Sequence, residues 1–303
     1  GVITAADLLA PMSRADGVDD GAGGWADGID NDGPVGGVSY VDDIVGWNFV
    51  NNTNRPMDAN GHGTHVAGVI GASGNDGEGV TGVDWQVQIM PLKILDAFGE
   101  GDDARAAAAV RYSAAMGARV SNNSYGDATP VSTTLDDAIA AAAAAGSVFI
   151  AAAGNDGANV DATPYSPAAS TRPNVISVAS IESDGSLSWF SNYGATTVDV
   201  AAPGGNIFST LPGNRYGYMS GTSMASPFVA GSAALLVSAH PDWTYTQIVN
   251  QILSTAKPLA SLAGKVATGG ELNVGAAMPT TPTDPTDPTD PTDPATPTAT
   301  ASY

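Results

Sequence analysis

Residues 138–153 read AIAAAAAAGSVFIAAA, a run almost apolar enough and long enough to cross a bilayer. Gly146-Ser147 divides it. Before the break, Thr134 and the acids Asp136 and Asp137 open an Ala-rich helix; after it, Ser147 to Ala153 is an apolar, β-type run. The run therefore reads as a buried helix followed by a buried strand. Working outward, the same alternation recurs. Strands are expected at Trp85–Leu95, Arg119–Ser124, Val148–Ala153 and Asn174–Ile181, and helices at Asp102–Met116, Leu135–Ala145, Ser223–Ala239 and Thr244–Ala256. Strands alternating with helices predict an α/β fold, a doubly wound and mainly parallel sheet with helices on both faces.

The 303 residues divide into a part able to pack, 1–278, and a tail, 279–303, that holds seven of the 20 prolines in a Thr-Asp-Pro repeat. Proline at that density suits neither helix nor sheet, so the tail is expected to be a disordered linker, with a further module or anchor implied beyond Tyr303. With no Cys, catalysis by thiolate, Fe–S clusters and Cys-zinc sites are excluded. The net charge of −21 would repel a phosphate backbone, which excludes nucleic acid as a partner. No uninterrupted membrane span is present, no signal peptide is visible, and the first residue is Gly rather than Met. Residues 13–43 carry eight aspartates among many glycines. Their spacing does not fit the EF-hand template, and a structural calcium there weighs about evenly against a solvated loop.

The chain has three histidines, at 62, 65 and 240, which limits the general bases available near neutral pH. Two share the motif Asn60-Gly-His62-Gly-Thr-His65-Val-Ala-Gly68, whose small residues let a tightly packed helix begin with a His in its first turn. Spaced i and i+3 with no Glu between them, they make a poor zinc pair. A second motif, Ser220-Gly-Thr-Ser223-Met-Ala-Ser-Pro227, puts a serine at a helix start, with Pro227 expected in the opening turn. Backbone N–H groups at such a start can stabilise an oxyanion. Serine also caps many helices without any catalytic role. In the third, Ala151-Ala-Ala-Gly-Asn155-Asp-Gly157, Asn155 lies just beyond the carboxyl end of a buried strand, where ligands gather in open parallel sheets.

Together these segments resemble the subtilisin-like serine proteases in wording, order and spacing from about Gly1 to Met278, and Asn122–Gly126 and Phe190–Ala195 are also similar to that family. The resemblance implies that Ser223 is the nucleophile, His62 its general base, and Asn155 a side-chain donor to the tetrahedral oxyanion beside the Ser223 N–H. It further implies that Ser124, Tyr125 and Gly126 on one side and Ala152, Ala153 and Gly154 on the other wall the primary specificity pocket. Those small residues suggest a roomy apolar slot. Phe228 departs from the family, which usually has His there, with little expected effect on chemistry. The resemblance also implies a secreted monomer acting on protein or peptide substrates with no catalytic cofactor.

The family takes its triad acid from an apolar strand ending Asp-Thr-Gly or Asp-Ser-Gly, and this sequence contains no such motif. Gly1-Val-Ile-Thr-Ala-Ala-Asp7-Leu8 is similar to the segment that follows it, so the acid and its central strand are expected upstream of Gly1. Asp7 is the weaker substitute, with no apolar strand before it. Residues 1–303 alone are then expected to fold poorly, with two sheet edges left open. Three functions compete: a serine endopeptidase, a peptide-binding pseudoprotease, and an α/β-hydrolase esterase. The last needs Gly-x-Ser-x-Gly, and Gly221-Thr-Ser-Met-Ala225 lacks the second Gly. Gly77-Glu-Gly79-Val-Thr-Gly82 matches a dinucleotide fingerprint only in letters, because a strand rather than a helix is expected after it.

Overall fold

The computed structural model describes residues 11–13, 19–23, 33–41, 43, 45–278 and 300–302. The predicted alternation is present. Four parallel strands form the centre of the sheet: β6 (Val120–Asn123), β7 (Val148–Ala152), β8 (Val175–Ile181) and β9 (Val200–Pro203), hydrogen-bonded in that order. Every residue of β6, β7 and β8 is buried, as expected of strands covered on both faces. Side chains alternate between two cores. Val148 and Ile150 of β7 join Ile176, Val178 and Val200 beneath α1 (His62–Gly71), α4 (Thr222–Ala239) and α5 (Tyr245–Ser254). Phe149 and Ala151 face the other way, against α2 (Asp103–Ala115) and α3 (Thr133–Ala144).

Residues 138–153 form the end of α3 and all of β7, split at Gly146, whose φ of 87° takes the left-handed turn a side chain would resist. Asp102 caps α2 and Ser132, rather than Thr134, caps α3, each accepting from a first-turn N–H. Thr244 and Gln247 close a capping box on α5. Among the described residues α4 is the one helix long and apolar enough to cross a membrane, and it is the buried central helix of the domain.

The expected strand Trp85–Leu95 is shorter and divided. β4 (Gln88–Met90) and β5 (Leu92–Lys93) flank Pro91, which has no N–H to donate but whose carbonyl accepts from Trp47; β5 then pairs with β3 (Trp47–Asn48). Residues 207–219, given no structure by the periodicity reading, form an antiparallel hairpin of β10 (Ile207–Leu211) and β11 (Arg215–Met219). Of the tail, Thr300–Ser302 form a strand, β14, parallel to β4 and β6 and between them. A strand slot therefore exists at that point of the sheet. Asp7 and tail residues 279–299 lie outside the described residues, as do 14–18, 24–32 and 42 of the Asp-rich stretch, with five of its eight aspartates. Asp43 accepts a hydrogen bond from the Tyr112 hydroxyl at 2.5 Å. Among the described residues no group of three or more His, Asp or Glu is placed to hold a metal.

Candidate active site

The site lies at the carboxyl ends of β6 and β7, where α1 and α4 pack on each other and begin. α4 starts at Thr222, so Ser223 is its second residue and its N–H is one of those a first turn leaves without a helical acceptor. Pro227 does not sit in the opening turn as expected; it is the sixth residue of the helix. Having no N–H, it cannot bond the carbonyl of Ser223 four residues earlier. Ser124, at the end of β6, takes that place: its Oγ donates to the Ser223 carbonyl at 2.8 Å. The Ser226 hydroxyl lies 2.8 Å from the same Oγ and the Asn122 amide donates to it at 2.9 Å, so one donated and two accepted bonds fill the capacity of Ser124. The hydroxyl of Ser223 in turn donates to the Ser124 carbonyl at 3.3 Å, and no hydrogen bond joins it to His62.

Asn155 is exposed beyond β7, and its carboxamide is fixed at one end. Its Oδ1 accepts from the Thr222 N–H at 2.9 Å and from the Thr222 hydroxyl at 3.1 Å. Because an N–H must meet an oxygen, this identifies the amide orientation and leaves Nδ2 unpartnered toward Gly221, the residue before the helix. The Thr222 hydroxyl also accepts from Gly154 N–H at 3.1 Å, tying the loop to the helix start. Buried Asn192 supports the same loop: Oδ1 accepts from the N–H groups of Asp156 and Ala158, and Nδ2 donates to the Ala153 carbonyl.

His62 opens α1. Burial lowers its pKa below the ordinary 6.5, partly opposed by the charge of Asp58, which favours the imidazolium, while nearby His65 adds to the lowering. The neutral ring is thus favoured, the form a general base needs. Asp58, not singled out from sequence, caps this helix from outside it. Its Oδ1 accepts from the N–H groups of Asn60 and Gly61, and its Oδ2 from the N–H and hydroxyl of Thr64. Burial alone would raise the carboxyl, but the Thr64 hydroxyl and the N–H groups of Gly61, Thr64 and Asn60 bring it down to about 2. His65, the second histidine of the motif, is fully buried; its Nε2 lies 3.0 Å from the Ile207 carbonyl and 3.2 Å from that of Gly217. Both partners are acceptors, so Nε2 carries the proton, and the ring fastens α1 to the β10–β11 hairpin.

Of the six pocket residues read from sequence, Ser124 and Tyr125 are partly buried and Gly126 exposed, while Ala152, Ala153 and Gly154 are buried. Their small size implied open space, yet Tyr165 occupies part of it. A Cβ on Gly126 would meet its ring at 2.4 Å, and one on Gly154 would meet it at 2.6 Å. The ring thus bridges the two segments, arriving from a loop 39 residues past Gly126 and 11 past Gly154, where no local pattern announces it.

A sheet of this topology, a serine opening one helix, a histidine opening its neighbour and an oriented asparagine at a strand end define the subtilisin-like class. The subtilase family model, peptidase S8, matches residues 27–287, and the chain belongs to that family. The chain is 48% identical over 195 residues to a thermophilic serine proteinase of Bacillus sp. (strain AK1), covering 64% of this chain and 47% of that protein. Against subtilisin Savinase of Lederbergia lenta it is 39% identical over 216 residues, covering 71% and 77%. A solved structure of a cold adapted subtilisin-like serine proteinase superposes with a TM-score of 0.65 at 36% identity, covering 81% of this chain and 84% of that one. The chain spans 47%, 23% and 41% of the first three curated relatives it matches.

Proposed function

We propose that the protein is a serine endopeptidase that hydrolyses peptide bonds through an acyl-enzyme. The observation that carries this is the anchoring of Asn155 by Thr222, which leaves the Asn155 amide N–H2 free beside the start of the helix bearing Ser223. In the proposed reaction His62 removes the Ser223 proton as the hydroxyl attacks the scissile carbonyl. The Asn155 amide and the Ser223 N–H receive the oxyanion, and His62 then protonates the leaving amine. No cofactor enters these steps. Substrate would run past Ser124, Tyr125 and Gly126 on one side and Ala152, Ala153 and Gly154 on the other. Tyr165 between those walls favours a small or medium side chain before the scissile bond. The protein is further proposed to act outside the cell, as a monomer.

The third triad member is proposed to be a carboxylate on a strand upstream of Gly1, entering the sheet between β4 and β6. The parallel seating of β14 there supports a slot of that kind. The catalytically impaired, peptide-binding alternative is favoured by one observation: Asp58, the carboxylate whose charge acts on His62, spends both oxygens on α1 and the turn before it. Fluorophosphonate labelling of the full-length protein, mapped to Ser223 by mass spectrometry and paired with casein hydrolysis, separates the two. Labelling with hydrolysis supports the endopeptidase. Peptide binding with neither labelling nor hydrolysis overturns it in favour of the pseudoprotease.

A further inference from the structure

A cleft of about 620 Å³ lies beside Asn155, lined by Asn155, Glu182, Trp189, Phe190, Asn206 and Ser220. It shares Asn155 with the oxyanion site proposed above and none of the six residues proposed to hold the acyl half of the substrate, which leaves it available to the other half. Its chemistry is specific. Glu182 is the one charged residue of the lining, and it has no ion-pair partner among the described residues. Its carboxylate lies over Gly205, where an added Cβ would come within 2.0 Å of Oε2. Trp189 is 88% exposed, an unusual position for so large an apolar surface, and its ring meets Phe190 edge-on at 5.7 Å. Ser220 Oγ accepts from the Asn206 N–H at 2.8 Å, joining the two lining residues that flank the β10–β11 hairpin.

A carboxylate without an ion-pair partner and an exposed indole lining one cleft suit a cation, which can gain both an ion pair and a cation–π contact there. Resting on the endopeptidase reading above, we infer that this cleft receives the leaving half of the substrate and selects a lysine or arginine within the first two residues after the scissile bond. Glu182 supplies the charge and Trp189 the π surface. The pairing is partly solvated, so its effect is a preference and not an absolute requirement.

The test compares quenched fluorescent peptides identical before the scissile bond and carrying Lys, Gln or Glu at each of the two positions after it, together with a short ester that has no leaving-side residue. The readout is the Lys/Gln ratio of kcat/KM within each form of the full-length protein. In the parent that ratio is expected to be roughly 3 to 10, with Glu below Gln. Glu182→Gln is expected to bring it below about 2. Gly205→Ala, which displaces the carboxylate without removing its charge, is expected to lower it as well. Ester hydrolysis with equal rates on the Lys and Gln peptides overturns the cation preference alone. An unchanged ratio in Glu182→Gln also overturns it, because general attraction to an acidic protein would then explain the preference. Failure to cleave either substrate overturns this inference together with the endopeptidase reading.

Discussion

Ser124 Oγ donates 2.8 Å to the carbonyl of Ser223, the carbonyl that Pro227 leaves without its helical partner. A proline in the second turn would ordinarily weaken a helix; here it frees an acceptor that Ser124, just past a neighbouring strand, uses to hold the backbone of Ser223.

Ser124→Ala removes that donor. The expected cost is about 1 kcal/mol of stability and about a tenfold fall in kcat/KM, read by thermal unfolding and by peptide hydrolysis. Pro227→Ala restores a backbone N–H four residues after Ser223, so the double variant is expected to be destabilised less than the sum of the two singles. Simple additivity in that cycle would show that the Ser124 bond is not what compensates for Pro227.

Thr222→Val keeps the backbone N–H to Asn155 but loses the hydroxyl shared by Asn155 and Gly154. With its donor less firmly oriented, turnover is expected to fall by about tenfold with KM little changed. Asn155→Leu, which removes the donor, is expected to lose about 10² to 10³ in kcat, the magnitude known for the corresponding loss in subtilisin and carried over through family membership. A change confined to KM would contradict an oxyanion role.

Asp58→Asn removes the charge that raises the His62 pKa, so the acid limb of the kcat/KM profile should move to lower pH than in the parent. The same change bears on stability. The Asp58 carboxyl is depressed to about 2 in the folded protein, so its contribution is complete above about pH 4 and is lost as pH falls toward 2. Discounted for its partial exposure, the loss should be about 1 kcal/mol. Melting temperatures of the parent and Asp58→Asn should therefore converge between about pH 4 and 2, and parallel curves would refute the assignment.

Asp199 carries the opposite sign. Burial lifts its carboxyl to about 6 against one opposing bond from the Ser177 N–H, so its ionised form costs stability above that pH and protonation relieves the cost as pH falls through about 6 toward 4. Asp199→Asn keeps an oxygen for Ser177 and should raise the melting temperature at about pH 8 but not at about pH 4.5. An equal shift at both values would point to packing instead of charge.

Much of this architecture is legible because local signals agree with one another. Gly146 marks the end of α3, Asp102 and Thr244 cap their helices, and the apolar run from Val148 lies buried on both faces, so periodicity and punctuation lead to one topology. The hairpin escapes a periodicity reading although Pro212-Gly213-Asn214 is a turn signal, with Gly213 and Asn214 both at positive φ, because its strands mix aromatic, small and polar residues. At the site, His62, Ser223 and Asn155 announce themselves through motifs. Asp58, Thr222, Asn192 and Tyr165 act through partners set by the tertiary fold, and no spacing rule predicts that an asparagine near residue 190 will hold a loop near residue 155.

The bond from His65 to the hairpin is reinforced on both sides: Ser209 Oγ donates to the His65 carbonyl and Thr210 Oγ1 to that of Thr64, each at 2.8 Å. Gly68 lies against the same two hydroxyls, with no room for a Cβ. For protein engineering, α1 and the β10–β11 hairpin therefore constitute a single exchangeable cassette. A hairpin transplanted from a relative to alter the cleft would have to arrive with a compatible Thr64, His65 and Gly68, or the graft would carry its new shape at the expense of the helix that opens with His62.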